Sequence, residues 1–132
     1  MPPLSPALQQ HWQALLSRLP QDFATRDFSP QAQAVLVFSD FVCDAALAHP
    51  DWLSALEQAS PRSDEWRDYA EQLKLALSSV DSEAALMREL RFFRRRTMMR
   101  IAWGQASGCV STQDSLTQLS MLAETLIVAA RD

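Results

Sequence analysis

Six arginines crowd one short stretch of this chain: Arg88, Arg91, Arg94, Arg95, Arg96 and Arg100. A guanidinium is a planar fork of N–H donors that meets a phosphate or a carboxylate with two parallel bonds. The cluster is therefore the feature best suited to holding an anion. From Ser82 to Trp103 only Glu83 and Glu89 oppose it, a surplus of +4 that leaves −8 for the rest of a chain whose net charge is −4. Two fates are open to these side chains. Their stems lie along apolar surface while the heads pair with the chain's own carboxylates, or two or three of them face an anionic ligand or partner beyond the segment. The acidic balance elsewhere repels phosphate chains and argues against nucleic acid as that partner.

Other residues with chemical potential form no constellation. Asp40 and Asp44 stand four apart, on one face if the segment is helical, and paired carboxylates serve acid–base or metal chemistry; a solvated edge, or pairing with arginine, is the plainer reading. Asp81-Ser-Glu83 is a second acidic pair, placed where a helix start favours acids. His11 reads as a surface residue, and His49 as turn packing or capping before Pro50. Cys43 and Cys109 lie in no CxxC or Cys/His cluster, so no zinc site is expected, and both read as small buried thiols. Walker A, GxGxxG and HExxH patterns are absent from the sequence. No catalytic, cofactor-binding or metal-ligating residue is assigned within the chain.

The elements that must position the arginines are helices. The chain has 132 residues, 48% hydrophobic and 21% charged, with only 2 glycines, whereas hairpin turns consume glycine. Pro6, Pro30 and Pro50 each follow a cap or turn residue and suit the first helical position, where a missing N–H costs nothing. Apolar spacing predicts about six helices: Ser5 to Leu19; Ser29-Pro30 to Ala48, central and continuous; Asp51 to Ala59; Asp64 to Ser78; Asp81 to Gly104; and Ser111 or Thr112 onward. The expected architecture is all-α, an irregular helical bundle formed by one segment over residues 1–132. Phe23 and Phe28 are expected to pin the connector after Pro20. The last helix brings Leu116, Leu119, Leu122, Ala123, Leu126, Ile127 and Ala130, and its apolar period is still running at Arg131-Asp132, which leads us to expect a longer polypeptide. With no signal peptide and no apolar stretch near membrane-spanning length, a cytoplasmic location away from membranes is expected.

Wound at about 100° per residue, the arginine segment puts Leu86, Leu90, Phe93, Thr97 and Ile101 on one face. Arg88, Arg91 and Arg95 gather on another. Arg96 and Arg100 take the opposite flank, and Phe92 and Met99 point away from the main apolar face. Such a helix meets neighbours on two sides, with arginines at the edges of both.

Three ordered stretches carry a resemblance: Phe38-Ser-Asp-Phe-Val42 with His49-Pro-Asp-Trp-Leu53; Leu86-Met-Arg-Glu-Leu-Arg-Phe-Phe-Arg-Arg-Arg96 with Arg100-Ile-Ala-Trp103; and Leu119-Ser-Met-Leu-Ala-Glu-Thr-Leu-Ile-Val-Ala-Ala-Arg-Asp132. In this order and spacing the chain resembles the N-terminal region of the bifunctional glutamine synthetase adenylyltransferase/adenylyl-removing enzymes. The resemblance implies a much longer enzyme with two nucleotidyltransferase halves. One half removes AMP from glutamine synthetase by phosphorolysis and the other attaches AMP from ATP. Both use magnesium, under control of PII-type signal proteins and glutamine. The family's Gly-Ser turn and Asp-x-Asp pair do not occur here, so the resemblance implies that ATP and Mg2+ belong to other parts of the enzyme. This segment then precedes the deadenylylating domain of the same polypeptide and packs against it. The rival expectation is a free-standing helical module that docks an acidic partner through the arginine helix.

Overall fold

The structure is a computed structural model that describes residues 6–21 and 28–131. Ser5, Phe23 and Asp132, which figure in the expectations above, lie outside the described residues, as does the side chain of Phe38. Among the described residues the fold is all-α, without strands, and no helix is long and apolar enough to cross a membrane. The chain divides into two compact units, Met1–Ser60 and Pro61–Asp132.

The first unit contains α1 (Pro6–Leu16), α2 (Pro30–Phe38), α3 (Asp40–Ala48) and α4 (Pro50–Gln58). Successive helices pack on one another. Proline opens α1, α2 and α4, as its fixed φ and missing N–H allow. Ser29 caps α2 by accepting a hydrogen bond from the Ala32 N–H at 3.1 Å. Phe28 is buried as expected, with its ring edge-on to Trp12, centroids 5.1 Å apart. The continuous helix expected from Pro30 to Ala48 is two helices. Ser39 leaves helical geometry at φ −126°, ψ 102°, and its hydroxyl accepts from the Val42 N–H at 3.2 Å. A serine followed by an acid in the new first turn satisfies an otherwise orphan backbone donor and suits the helix dipole. That local gain wins over apolar continuity.

The second unit contains a 3-10 turn (Glu65–Asp68), α5 (Tyr69–Ala76), α6 (Glu83–Ala106) and α7 (Thr112–Arg131). The helix expected from Asp64 therefore begins as a 3-10 turn. Its first acid, Glu65, is turned inward instead of standing free at the helix start. Helices α5, α6 and α7 pack pairwise around Tyr69, Leu73, Leu90, Phe93, Ile101 and Leu122. Ser82 caps α6 by accepting from Ala85 N–H, and Ser111 caps α7 by accepting from Asp114 N–H, both at 3.1 Å.

Two glycines shape the junction between α6 and α7. Gly104 lies inside α6, not at its end, and the position needs glycine because a Cβ there would come within 2.9 Å of Val110 Cγ2 and 3.3 Å of Pro61 Cβ. Gly108 takes φ +79°, the left-handed region that favours glycine. Helix α7 departs from its expected core. Ser115 and Gln118 are buried beside Leu122, whereas Leu116, Leu119 and Ile127 are exposed. Gln118 earns its place by donating to the Arg62 carbonyl at 2.7 Å and to Ser63 O at 3.4 Å, which ties α7 to the segment ahead of the 3-10 turn.

Candidate functional site

All six arginines ride on α6, a 24-residue helix that packs beside the 8-residue α5. Of its expected core stripe, Leu90, Phe93, Thr97 and Ile101 are buried and Leu86 is partly buried. Met99 and Trp103 are buried as well, at 0% and 1% exposure, so the C-terminal half of the helix is covered on two sides. The segment's low overall amphipathicity follows from this: a helix enclosed on both flanks has no single polar face.

The structure divides the arginines into two groups. Arg100 belongs to the interior. Its Nε donates to Glu65 Oε1 and its Nη2 to Glu65 Oε2, both at 3.0 Å, a fork-on-fork pair. The Glu65 side chain is 8% exposed and that of Arg100 28%. Glu65 Oε2 also accepts from the Arg62 N–H at 3.1 Å, so one carboxylate fastens both α6 and the preceding loop. Close by, burial pushes the Tyr69 hydroxyl well above its ordinary pKa; the Glu65 charge adds to the rise and Arg100 opposes it. Arg96 is half-buried, its guanidinium carbon 5.9 Å from the centre of the Phe93 ring.

Arg88, Arg91, Arg94 and Arg95 form the second group. All four are exposed, and among the described residues no ion pair engages them. Arg88, Arg91 and Arg95 share one flank at spacings of three and four, and Arg94 sits nearer the core stripe. Over seven residues this row extends about 10 Å. Its chemistry is electrostatic: several guanidinium groups in water, suited to a phosphate or to a set of carboxylates. Pairing within the chain, one of the two fates open from sequence, thus holds for Arg100 and, among the described residues, not for this row.

The remaining sequence candidates do not converge on it. Asp40 and Asp44 are exposed on α3, at the solvated edge expected of them. Their charges push the buried Cys43 thiol further above its ordinary pKa, after burial itself, with Arg18 opposing. A thiol held protonated in this way is a poor nucleophile. Cys109 corrects the expectation of two buried thiols. It is exposed, because it follows the turn at Gly108 and leaves Val110 to occupy the buried position. His11 is exposed, and His49 stacks on Trp52 with centroids 3.8 Å apart, which is turn packing. Glu83 stands in the first turn of α6 behind its Ser82 cap. Among the described residues no group of three or more His, Cys, Asp or Glu could hold a metal ion.

A cavity of about 770 Å³ opens between α5 and α7. Leu73, Leu77, Leu86, Met121 and Val128 make its walls apolar, and Lys74 and Glu124 supply charge. Sequence reasoning missed three contributors to this unit: Glu65 as the partner of Arg100, Gln118 as an internal hydrogen bonder, and the cavity itself. Glu65 and Arg100 lie 35 residues apart, and no local pattern marks them as partners.

Comparison with known protein families matches residues 29–132 to glutamate-ammonia ligase adenylyltransferase. The match starts at the Ser29 cap of α2 and runs through α3, α4, the Glu65–Arg100 pair and both long helices. Enzymes of this family, at full length, transfer adenylyl groups to glutamate-ammonia ligase, which is glutamine synthetase, and so belong to nitrogen metabolism. With more than three quarters of its length matched, the chain belongs to the glutamate-ammonia ligase adenylyltransferase family.

Proposed function

We propose that this chain is a non-catalytic, N-terminal helical region of an enzyme that adenylylates glutamine synthetase and removes the adenylyl group by phosphorolysis. In this reading the region packs against the deadenylylating domain of the same polypeptide, in the cytoplasm, and PII-type signal proteins act on the whole enzyme. The observation that carries it is the split among the arginines. One is used internally, while Arg88, Arg91, Arg94 and Arg95 stand in solvent on a rigid helix with no ion pair among the described residues. Four like charges on one helix repel one another, so a row of this kind is stabilised when something anionic covers it. The catalytic domain, or the phosphate groups it handles, supplies that charge.

Among the described residues no group of three or more His, Cys, Asp or Glu could hold a metal ion, and in this reading magnesium and ATP are held by other parts of the enzyme. No chemical step is therefore routed through it. Its contribution to catalysis is positional.

The test is Arg94→Ala/Arg95→Ala in the full-length enzyme. AMP removal should fall while the far-ultraviolet circular dichroism spectrum and melting temperature stay at wild-type values, since both side chains are exposed. Unchanged AMP removal in a well-folded variant would sink the proposal. The isolated 132-residue chain, assayed for AMP removal or attachment, should read blank; turnover above background would equally overturn the non-catalytic assignment.

A further inference from the structure

Helix α7 has two apolar faces, and the second unit uses one of them. Leu122 and Leu126 face the core, while Leu116, Leu119, Ala123, Ile127 and Ala130 form a second stripe at spacings of three and four. Leu116 is 60% exposed and Ile127 59%, and Leu119, Ala123 and Ala130 are exposed with them. The stripe is about 21 Å long, or four helical turns. A soluble surface scatters its apolar side chains singly; a continuous stripe marks a contact face.

Contacts within the unit fix where this stripe lies. Helix α5 covers one edge of α6, since Tyr69 meets Phe93 edge-on at 6.4 Å and Leu86 shares a cavity with Ala70 and Leu77. Passing round α6 from that edge across Leu90 and Ile101 leads to Met98 and then to Arg91 and Arg95. On α7 the edge toward α5 carries Met121, Thr125 and Val128, which line the same cavity. Passing round α7 from there across Leu122 and Leu126 leads to Leu119, Ala123 and Ile127. Because α6 and α7 also pack on each other, the two far edges lie side by side. They border one groove, on the side away from α5, with an apolar ridge along α7 and the arginine row along α6.

We propose that this outer α6/α7 groove docks a partner α-helix with an apolar ridge and a line of carboxylates on the edge that meets α6. The groove between two long packed helices admits a third by interlocking ridges. A helix satisfies its own backbone bonds and loses none when its face is buried, whereas an added strand would bury unpaired N–H and C=O groups here. Charge complementarity sets the polar edge: among the described residues of α6, Arg91, Arg94 and Arg95 are the exposed charges on the edge that meets the ridge. The cationic surplus stands on the α6 side of the ridge, and round α7 on the other side Arg131 is offset by Glu124, so the surface favours a one-sided acidic helix over an anionic membrane. The docked helix deepens the outward use of the arginines proposed above, and the groove specifies it whichever polypeptide supplies it.

The experiment uses the 132-residue chain and three synthetic amphipathic helices of about 20 residues, about 30 Å long. All three carry leucine at three- and four-residue spacing, and glutamate, glutamine or lysine along one edge. Fluorescence anisotropy should show the glutamate peptide binding at least about ten-fold more tightly than the lysine peptide, with a preference that shrinks as salt rises. Arg91→Glu/Arg94→Glu/Arg95→Glu should reverse that preference, which a merely unfolded variant could not do. Leu116→Asp/Ile127→Asp should weaken all three peptides. Equal binding of the glutamate and lysine peptides overturns the proposal, as does a reversed-charge variant that keeps the wild-type preference. Tighter binding to vesicles of phosphatidylserine than to the glutamate peptide overturns it in favour of a membrane surface. Reduced AMP removal by the full-length Arg94→Ala/Arg95→Ala enzyme alongside no peptide discrimination would end the docked helix and leave the functional proposal standing; the opposite pair of results would do the reverse.

Discussion

Arg100 and Glu65 offer the sharpest test of how this family member uses its charges. Two N–H···O bonds of 3.0 Å join them, and the carboxylate is nearly sealed from water. Removing one partner of a buried pair costs about 3–5 kcal/mol, because the survivor is left charged and uncompensated. Here the cost is smaller. Arg100 retains 28% exposure, and Glu65 keeps the Arg62 N–H at 3.1 Å when Arg100 is gone. We therefore expect Arg100→Met to lose about 2–3 kcal/mol. Glu65→Gln, which keeps the shape and some hydrogen bonding, should lose about 1–2 kcal/mol, in line with charge-assisted bonds. Replacing both residues with methionine removes the buried charge altogether and should cost no more than about 1 kcal/mol. Glu65→Met should lose at least as much as Glu65→Gln, so guanidinium chloride unfolding of the wild type, Arg100→Met, Glu65→Met and the double variant closes a mutant cycle with a coupling of at least about 2 kcal/mol. Arg88→Ala and Arg91→Ala serve as controls and should stay within about 0.5 kcal/mol of wild type. A coupling below about 0.5 kcal/mol, or an Arg91→Ala loss as large as that of Arg100→Met, would refute the division of the arginines into one structural member and an outward row.

Tyr69 is the chain's single tyrosine, buried, with its hydroxyl raised above the ordinary value of 10.0. Below that value both the folded and unfolded states are neutral and the group contributes nothing to pH dependence; above it the unfolded state ionises first, so stability falls as pH rises. Tyrosinate absorbance near 295 nm should therefore appear only together with alkaline unfolding, and a signal from the intact fold at pH 10 would contradict the burial. Ellman's reagent should titrate Cys109 quickly in the native protein and Cys43 only after denaturation, since Cys43 is buried and its thiol is raised; two fast thiols would contradict the packing of the first unit. Gly104→Ala should destabilise by about 1 kcal/mol in denaturant melts, despite alanine's better helix propensity, because the stiff Val110 side chain and Pro61 leave the new methyl no room. A gain in stability would show that α6 and the Val110 turn separate more easily than the close approach implies.

Much of this fold was legible in the chain itself, and for local reasons. Proline and serine mark helix starts through the backbone chemistry of one turn, so Ser29-Pro30, His49-Pro50 and the Ser111 cap were read at their true places. The core stripe of α6 followed from periodicity. Where local signals competed, apolar continuity was overweighted: Ser39 capped a new helix inside the stretch read as one. The arginine row, too, was visible as a charge surplus, and family membership was legible in three ordered motifs and is matched over residues 29–132.

Which arginine does what was decided elsewhere. Arg91 and Arg100 are the same residue type on the same helix, separated by nine positions. The loop at Arg62 and the inward turn of Glu65 give Arg100 a buried partner, whereas Arg91 stands in water. The same holds for α7. Its sequence offers apolar residues round half its circumference, but the pair of neighbours in the unit covers a single face, buries Ser115 and Gln118 along the way, and leaves Leu116 and Ile127 outside. Spacing along a helix assigns residues to faces through bonds within a few turns. Which face meets protein and which meets solvent depends on contacts between residues tens of positions apart, and only the packed structure supplies those.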